Sequence, residues 1–405
     1  MKDGWSRKKL SELFTIRPQK KQAKEKLNDN DEISFVPMKC LNVYDRNLTL
    51  NQTRTLKDVY GAYTYFEDND VLLAKITPCF ENGKVGIARN LKNGIGFGSS
   101  EFIVFRSEGK VIPEYLYYYL SQESFRQEGK AMMAGAVGHK RVSKEFINEY
   151  QLPFPESIQE QKRIVAILDE VCTAVDKAKA NVEKNLANSK ELFESYLNVI
   201  FANPGEDWEK YELNKHVKFI DYRGRTPKKT KSGIRLITAK NIKKGYIQRE
   251  PEEYIAIDNY DSWMTRGLPE KGDILFTTEA PLANVAQLDT SEKVAFAQRT
   301  IIFQPDSKVL NKKFLKYLLL SKPIQDKIFA EGTGATVKGI KSRLLKKIKI
   351  TFPGLQEQLS IVVHLDKLSN ETKQIESIYQ EKIDALDELK KSALKKAFEG
   401  ELWKK

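Results

Sequence analysis

Residues that could carry acid–base or metal chemistry are few and scattered in this chain. The three histidines, His139, His216 and His364, lie far apart, and none shares the spacing of a metal site with another. The three cysteines form no C-x-x-C pair and have no histidine cluster beside them, which argues against a disulfide framework and against structural zinc. These patterns predict a protein that is not an enzyme, with no catalytic residues, no metal site and no cofactor of its own.

Basic residues, in contrast, are numerous and clustered. The chain has 68 Lys and Arg against 55 Asp and Glu, for a formal net charge of +13. Between Lys210 and Arg249 only Glu212 and Asp221 oppose the basic residues, and the stretch 332–356 has no acid. Double-stranded DNA attracts such runs because neutralising its phosphates releases counterions, whereas the simpler alternative is a solvated lysine-rich surface. Neighbouring Gly-rich loops, where backbone can approach a phosphate closely, favour DNA.

Base recognition requires hydrogen-bonding side chains on loops that can enter a groove. In the N-terminal half the candidate DNA-binding residues are Lys75, Thr77, Asn82, Lys84, Ser99, Ser100, His139, Lys140 and Arg141. In the C-terminal half they are Arg223, Arg225, Lys228, Thr278, Asn284, Gln298, Arg299, Thr336, Lys338 and Lys341. Some have structural alternatives. Asn82 precedes Gly83 as in a hairpin turn, Ser99 and Ser100 could be ordinary strand-edge residues, and Arg299 could serve a salt bridge.

The elements that would position these residues occur twice along the chain. Trp5 corresponds to Trp208, Asp70 to Asp273 and Pro78 to Pro281. Strand-like runs at 33–42, 68–78 and 97–106 correspond to 234–243, 271–281 and 296–305, and a helix at 113–122 corresponds to one at 311–321. The offset drifts from 203 to 197 residues, as expected for a duplication with small loop changes. The globular parts match in pattern only, whereas the helical parts that follow match closely.

Each half closes with a long segment that lacks Gly and Pro. These segments open with IQEQKRIVAILDE at 158–170 and LQEQLSIVVHLDK at 355–367. Apolar residues then recur at steps of four and three, which predicts a coiled-coil seam. The predicted seam consists of Ile164, Leu168, Val171, Val175, Val182, Leu192, Ile361, Leu365, Leu368, Ile375, Tyr379, Leu386 and Leu389. Two helices packed separately are the alternative, but chain order favours an antiparallel pair with a pseudo-twofold axis.

In these features the sequence resembles the specificity subunit of a type I restriction–modification system, over essentially the whole chain. The order and duplication of the motifs carry the resemblance, together with ITPCFENGKVGIA (76–88), GFGSSEFIVFR (96–106), KGDILFTTEAPLANVA (271–286) and GATVKGIKSRLLKKIKI (334–350). The resemblance implies an α+β fold with two similar target recognition domains, separated by two long helices that form an antiparallel coiled coil. The expected domains are 1–155 and 204–353, and the expected helical spacers are 156–203 and 354–405.

The resemblance also implies a function. Each target recognition domain would read one half of a bipartite site in double-stranded DNA, and the helices would set the spacer and dock two methyltransferase subunits. S-adenosylmethionine would belong to those N6-adenine methyltransferases, and ATP and Mg to restriction (motor-nuclease) subunits. The absence of a signal peptide and of a long apolar run predicts a cytoplasmic protein without membrane contact.

Two alternatives remain open at the level of the sequence. One is a free-standing bivalent DNA-binding or architectural protein, and the other is the specificity subunit of a methylation-only or type II-like system. Apolar residues outside the predicted seam favour further protein partners, although the same residues could pack against the domains. They are Val165, Ile167, Phe193, Val199, Val362, Val363, Ile378 and Phe398.

Overall fold

The computed structural model describes residues 3–43, 45–136, 138–222, 224, 226–334 and 338–401. The chain divides into two compact units, the first formed by Met1–Val182 with Glu381–Lys405 and the second by Glu183–Gln380. Each unit therefore contains a part of both long helices. The first unit holds the start of one helix and the end of the other, and the second unit holds the remaining parts.

The strands of the first unit are short and follow one another closely along the chain. They are β1 (Trp5–Lys9), β2 (Phe14–Ile16), β3 (Glu32–Val36), β4 (Thr53–Thr55), β5 (Thr64–Glu67), β6 (Val71–Ala74), β7 (Val85–Ile87), β8 (Ile95–Gly98), β9 (Phe102–Ser107), β10 (Met133–Ala134), β11 (Arg141–Val142) and β12 (Gln151–Pro155). Its helices are α1 (Leu10–Leu13), α2 (Lys21–Lys26), α3 (Leu56–Val59), α4 (Pro113–Leu120), α5 (Glu123–Ala131), α6 (Lys144–Glu149) and the start of α7 (Ile158–Ala202).

Two four-stranded sheets form the body of the first unit. One is antiparallel, with the order β2-β9-β6-β7. The other has the order β4-β3-β8-β5 and is mixed, because β3 and β8 run parallel. The small pair β1–β12 joins the N-terminal strand to the strand that leads into α7. Helix α4 is almost wholly buried against this body and corresponds to the helix predicted at 113–122.

The second unit has the same kinds of elements. Its strands are β13 (Glu209–Glu212), β14 (Val217–Asp221), β15 (Lys229–Thr230), β16 (Ile234–Ile237), β17 (Tyr254–Ile255), β18 (Ile274–Thr278), β19 (Leu282–Gln287), β20 (Val294–Phe296), β21 (Thr300–Pro305) and β22 (Lys349–Phe352). Its helices are α8 (Leu213–His216), α9 (Tyr260–Trp263), α10 (Lys312–Leu320), α11 (Lys322–Ala330), α12 (Ser342–Lys346) and part of α13 (Leu355–Phe398).

The sheets of the second unit largely repeat those of the first, although β5 of the mixed sheet has no counterpart among the described strands. The antiparallel sheet β14-β21-β18-β19 corresponds strand by strand to β2-β9-β6-β7. In the mixed sheet β15-β17-β16-β20, the parallel neighbours β16 and β20 correspond to β3 and β8. The pair β13–β22 corresponds to β1–β12. The predicted mixed fold with two similar domains and two long helices is therefore confirmed.

The strand-like runs predicted at 97–106 and 296–305 each form two strands instead of one. In the first unit, β8 belongs to the mixed sheet and β9 to the antiparallel sheet, and a turn at Ser99–Glu101 separates them. In the second unit, β20 and β21 are separated in the same way. The polar residues at 99–101 and 298–299 mark this turn in the sequence, but apolar residues on both sides made each run look like one strand.

A buried aspartate fixes the same turn in each unit, as its matched position predicts. Asp70 accepts a hydrogen bond from the backbone N–H of Glu67 at 2.8 Å and pairs with Arg106. Asp273 accepts one from the backbone N–H of Glu270 at 2.8 Å and pairs with Lys312. Buried carboxylates require such partners, so the acids of this repeated turn have a structural role.

The repeated helix opening fastens each long helix to its own unit through a buried glutamine. The amide of Gln161 accepts from the backbone N–H of Ile112 at 2.9 Å and donates to the carbonyls of Lys110 and Pro155 at 2.8 and 2.9 Å. Gln358 makes the same three bonds at 2.8, 2.9 and 2.7 Å, with Asn311, Val309 and Pro353. Both side chains are fully buried.

An aspartate two turns further along each helix makes a second attachment. Asp169 accepts from the hydroxyl of Tyr118 at 2.5 Å and pairs with Arg46 at 2.7 Å. Asp366 likewise accepts from Tyr317 at 2.7 Å and pairs with a lysine, Lys313. The near-identity of the two helix openings thus has a local cause, since both must match the same tyrosine-bearing helix.

Within the first unit the long helices run antiparallel. The Asp176 carboxylate bonds to the Lys390 ammonium at 2.7 Å, and the Lys179 ammonium bonds to Asp387 at 2.7 Å. Moving forward along α7 therefore means moving backward along α13. Of the two arrangements that the sequence left open, the first unit shows the antiparallel pair.

The buried stripe of the helices follows a heptad pattern but differs in part from the predicted seam. On α13 the buried side chains include Gln358, Val362, Leu365, Thr372, Ile383 and Ala397, whose spacings fit steps of four and three. Of the predicted seam, Ile164, Leu168, Val175 and Leu365 are buried, and Val171, Val182, Ile361, Leu368, Tyr379 and Leu386 are half-buried. Leu192, Ile375 and Leu389 are exposed, so the burial expected of these three is not found.

Candidate nucleic-acid interface

Three segments of the first unit meet at the end of β6. The Lys75 N–H donates to the Glu101 carbonyl at 2.9 Å, and the Thr77 N–H donates to the Lys140 carbonyl at 2.9 Å. The Lys75 ammonium donates to the Ser100 carbonyl at 2.8 Å. Of the candidate residues, the structure thus brings together Lys75, Thr77, Ser99, Ser100, His139, Lys140 and Arg141. We call this place the first junction.

The first junction is rich in cationic groups. Burial lowers the pKa of Lys75, and nearby Arg17 and Arg141 lower it further, against the attraction of Glu101. Hydrogen bonds from Arg141 lower the pKa of Glu101, so this carboxyl stays ionised in the cluster. Arg17 and Glu101 are site residues that the sequence did not single out. Arg17 lies far from the other segments of the junction in the sequence, and the turn carrying Glu101 was hidden within a predicted strand.

Two other candidates of the first unit have structural roles. Asn82 is exposed and lies near the end of the turn that closes at Gly83, whose φ is 76°. It therefore makes the turn before Gly83, although not the two-residue hairpin that an Asn-Gly pair favours. Lys84 is half-buried and its ammonium donates to the Met38 carbonyl at 3.0 Å. Ser99 and Ser100 lie in the turn between β8 and β9 and not at a strand edge.

The second unit has an equivalent place at the end of β18. The Thr278 N–H donates to the Arg299 carbonyl at 2.9 Å, and the Ile340 N–H donates to the Thr278 carbonyl at 2.9 Å. The Arg299 guanidinium pairs with the Glu279 carboxylate at 3.0 Å, as the salt-bridge alternative anticipated. Glu279 is a further residue that the sequence did not single out. We call this place the second junction.

The remaining candidates of the second unit are placed in several ways. Gln298, Lys338 and Lys341 are exposed in segments adjoining the second junction, and Lys228 is exposed beside β15. Thr278 is 3% exposed, which withdraws its side chain from a DNA surface. The Asn284 amide donates to the Ile242 carbonyl at 2.8 Å, which gives it a structural role. Arg223, Arg225 and Thr336 lie outside the described residues.

Other kinds of site find no support in the described part of the chain. There, no three His, Cys, Asp or Glu side chains lie together as metal ligands would. None of the described helices combines the length and the apolar character that crossing a bilayer requires. What the two junctions offer is hydrogen-bonding and cationic side chains on loops, the chemistry by which proteins contact phosphates and base edges.

Curated relatives of this chain are specificity subunits. It is 35% identical over 196 residues to the type I restriction enzyme EcoEI specificity subunit of Escherichia coli, covering 48% of this chain and 32% of the relative. It is 33% identical over 199 residues to the EcoAI specificity subunit of Escherichia coli, covering 49% and 33%. These two matches thus span about a third of each relative. The MjaVIII specificity subunit of Methanocaldococcus jannaschii matches at 26% identity over 302 residues, 68% of each protein.

Solved structures share the fold. A chain from a study of complex assembly and conformational transition of the type I R-M system superposes with a TM-score of 0.82, at 17% identity and over 99% of both chains. The HsdS subunit from Thermoanaerobacter tengcongensis superposes with a TM-score of 0.61, at 18% identity, over 99% of this chain and 98% of that one. At such identities the likeness concerns the fold alone.

The family model describes most of the sequence. The type I restriction modification DNA specificity domain matches twice, at residues 2–185 and 205–385. The two matches correspond to the two repeated halves. The chain therefore belongs to the family of type I restriction–modification DNA specificity proteins.

Proposed function

We propose that this chain is the non-catalytic specificity subunit of a type I restriction–modification complex. Each target recognition domain reads one half of a bipartite DNA site, and the domains extend over 1–155 and 204–353. The observation that carries the proposal is the repeated scaffold with different side chains at its two junctions. A shared scaffold presents the same kind of surface twice, and different side chains there read different bases.

The helical segments 156–203 and 354–405 set the spacing and dock two methyltransferase subunits. An exposed apolar stripe on α7 supports docking: Leu192, Tyr196 and Val199 lie on one helical face by their spacing of four and three. Leu359 and Val363 form a similar exposed pair on α13, and Val363 is 66% exposed. Exposed apolar surface of this kind is typical of sites that bind other proteins.

Not every apolar residue outside the predicted seam supports docking. Val199, Val363 and Ile378 are exposed, whereas Val165, Val362 and Phe398 are buried in their own unit. Ile167 and Phe193 are half-buried against the same cores. The docking surface of the proposal is therefore limited to the exposed residues, and the others stabilise the units.

The partner chemistry in this proposal follows the family. S-adenosylmethionine binds the partner N6-adenine methyltransferases, and ATP and Mg bind restriction subunits that join for cleavage. The complex acts in the cytoplasm. A free-standing bivalent DNA-binding protein, or the specificity subunit of a methylation-only or type II-like system, is the competing possibility.

Genome-wide mapping of methylated adenines, with and without this chain, tests the proposal. We expect a split sequence motif that disappears when the chain is deleted. Replacing residues 1–150 by another domain of this kind should change only one half of the motif. A change in both halves would contradict modular reading, and methyl transfer by the isolated chain would contradict a non-catalytic role.

A further inference from the structure

Each junction holds one arginine bound to one glutamate. In the first, Arg141 donates to both carboxylate oxygens of Glu101, at 2.9 and 2.8 Å. In the second, the Arg299 Nε lies 3.0 Å from the Glu279 carboxylate. The arginine side chains are 47% and 46% exposed. Both pairs therefore stand at the surface, on the loops that carry the candidate DNA-binding residues.

The two pairs are not copies of one inherited pair. Backbone hydrogen bonds show that Glu101 and Arg299 occupy equivalent positions. The Glu101 carbonyl accepts from the N–H of Lys75 at the end of β6, and the Arg299 carbonyl accepts from the N–H of Thr278 at the end of β18. Arg141 is likewise equivalent to Gly339. Arg141 forms an isolated antiparallel β-bridge with Ile76, and Gly339 forms one with Glu279. Arg299 thus stands at the position of Glu101, but the position of Arg141 holds Gly339. The glutamate of the second junction, Glu279, stands at the position of Ile76, so the arginine–glutamate pairing is present in both units but at different positions.

Packing agrees with this difference in position. A Cβ added at Gly339 would lie 3.2 Å from the Cβ of Glu279, closer than most side chains approach one another. The glutamate of the second junction therefore takes the space into which an Arg141-like side chain would extend. The two units reach the same chemical result, a glutamate-held arginine, from different backbone positions.

Such exposed pairs contribute little to folding, since their typical value is about 0–1 kcal/mol. What a carboxylate does supply is orientation, because a bidentate contact holds the planar guanidinium in one plane. Arg141 uses Nε and Nη2 for Glu101 and Nη1 for the His139 carbonyl. Arginine has five N–H groups, so one N–H of Nη1 and one of Nη2 find no bond among the described residues.

We propose that Arg141 and Arg299 each read a guanine in their own half of the DNA site. Glu101 and Glu279 are positioning residues that hold the two guanidinium groups for this contact. Guanine presents O6 and N7 as paired acceptors in the major groove, which an arginine fork matches. This inference rests on the proposed function and assigns a base and a pair of side chains to each half.

The test maps adenine methylation in cells that contain the partner methyltransferase and one variant chain at a time. In Arg141→Gln we expect one guanine in one half of the motif to become degenerate, with a loss of preference of about five- to a hundredfold. Arg299→Gln should do the same in the other half only. Glu101→Gln and Glu279→Gln should weaken preference at the same two positions, which a merely structural role would not do.

A matched control is Lys92→Gln, which removes another exposed pair of the first unit, that with Glu32 at the start of β3. Its motif should equal that of the wild type. An unchanged motif in either arginine variant overturns the inference, as does uniform weakening across all sequences, the sign of a phosphate contact. If Arg141→Gln and Arg299→Gln methylate nothing, Arg141→Lys and Arg299→Lys decide. They keep the charge without the fork, so they should methylate with a degenerate guanine.

The outcomes also separate this inference from the proposed function. No split motif with the wild-type chain contradicts the function itself. A split motif that the arginine and glutamate variants leave unchanged contradicts only the assignment of Arg141 and Arg299. Loss of methylation in both glutamine and lysine variants, in complexes that still co-purify, also overturns that assignment.

Discussion

At the scale of single residues, the repeated helix opening is explained by buried polar contacts. Gln161 and Gln358 lie inside the cores of their units and use both ends of the side-chain amide. Asp169 and Asp366 attach the next turns to tyrosines. These positions require a given side chain for geometric reasons. The shared scaffold alone therefore explains why they are repeated, and no shared partner is needed to explain it.

Replacing Gln161 by alanine should destabilise the first unit by about 2–4 kcal/mol, since one backbone N–H and two carbonyls lose their buried partner. The midpoint of urea denaturation measures this loss. Gln159 lies on the same turn but is exposed, so Gln159→Ala should change stability by less than about 0.5 kcal/mol. Equal effects of the two substitutions would rule out the buried amide as the cause.

The Glu101 carboxyl should titrate below its ordinary pKa of 4.5, mainly because Arg141 donates hydrogen bonds to it. Because the pKa is lower in the folded state, the pair stabilises the fold at pH values above the unfolded-state pKa. This stabilisation is lost as the pH falls through the folded-state pKa. Carboxyl ¹³C NMR should therefore show a higher pKa in Arg141→Gln. Glu32, whose pKa Lys92 lowers, should titrate as before. No change at Glu101 would contradict the pairing.

At the scale of elements, the decisive feature is the turn that divides each predicted strand into two. The turns at 99–101 and 297–299 send the chain from the mixed sheet to the antiparallel sheet. They also present Glu101 and Arg299 at the two junctions. The long helices are simpler, because a heptad repeat is a local pattern and the buried stripe follows it, although polar residues such as Thr372 form part of that stripe.

The antiparallel pairing in the first unit can be tested by reversing a charge pair. Lys179→Asp should destabilise that unit, and adding Asp387→Lys should restore about 0.2–1 kcal/mol, the usual range for exposed ion pairs. A double-mutant cycle by chemical denaturation measures the coupling, which should decrease with salt. Glu388 pairs with Lys391 on its own helix, so Glu388→Lys should not rescue Lys179→Asp. Equal rescue by both would argue against this register.

At the scale of the whole molecule, one scaffold occurs twice and the family model matches it twice. Helix α7 is continuous over 45 residues, from Ile158 to Ala202, and contributes to both units. A continuous helix has a fixed rise of about 1.5 Å per residue. Its length is therefore the property that our proposal connects with the spacing of the two half-sites.

Inserting four residues in the middle of 170–190 lengthens α7 by about 6 Å. We expect the preferred gap between the half-sites to change by on the order of one or two base pairs, at 3.4 Å each, while both half-site sequences persist. Methylation mapping reads both properties together. The same insertion between Ser291 and Glu292, in an exposed loop of the second unit, should leave the gap unchanged. An unchanged gap in the helix variant would contradict the proposal that the helix sets the spacing.

The duplication, the two long helices, the mixed fold and the family could all be predicted from the sequence, because repeats and heptads are patterns of residues that lie near one another along the chain. Which loops meet became visible in the folded chain alone. Glu101 and Arg141 are 40 residues apart in sequence and form a bidentate pair. The side chains of Lys84 and Asn284 donate hydrogen bonds to backbone carbonyls. Spacing along the chain does not encode such pairings, since they depend on how the sheets fold the loops together.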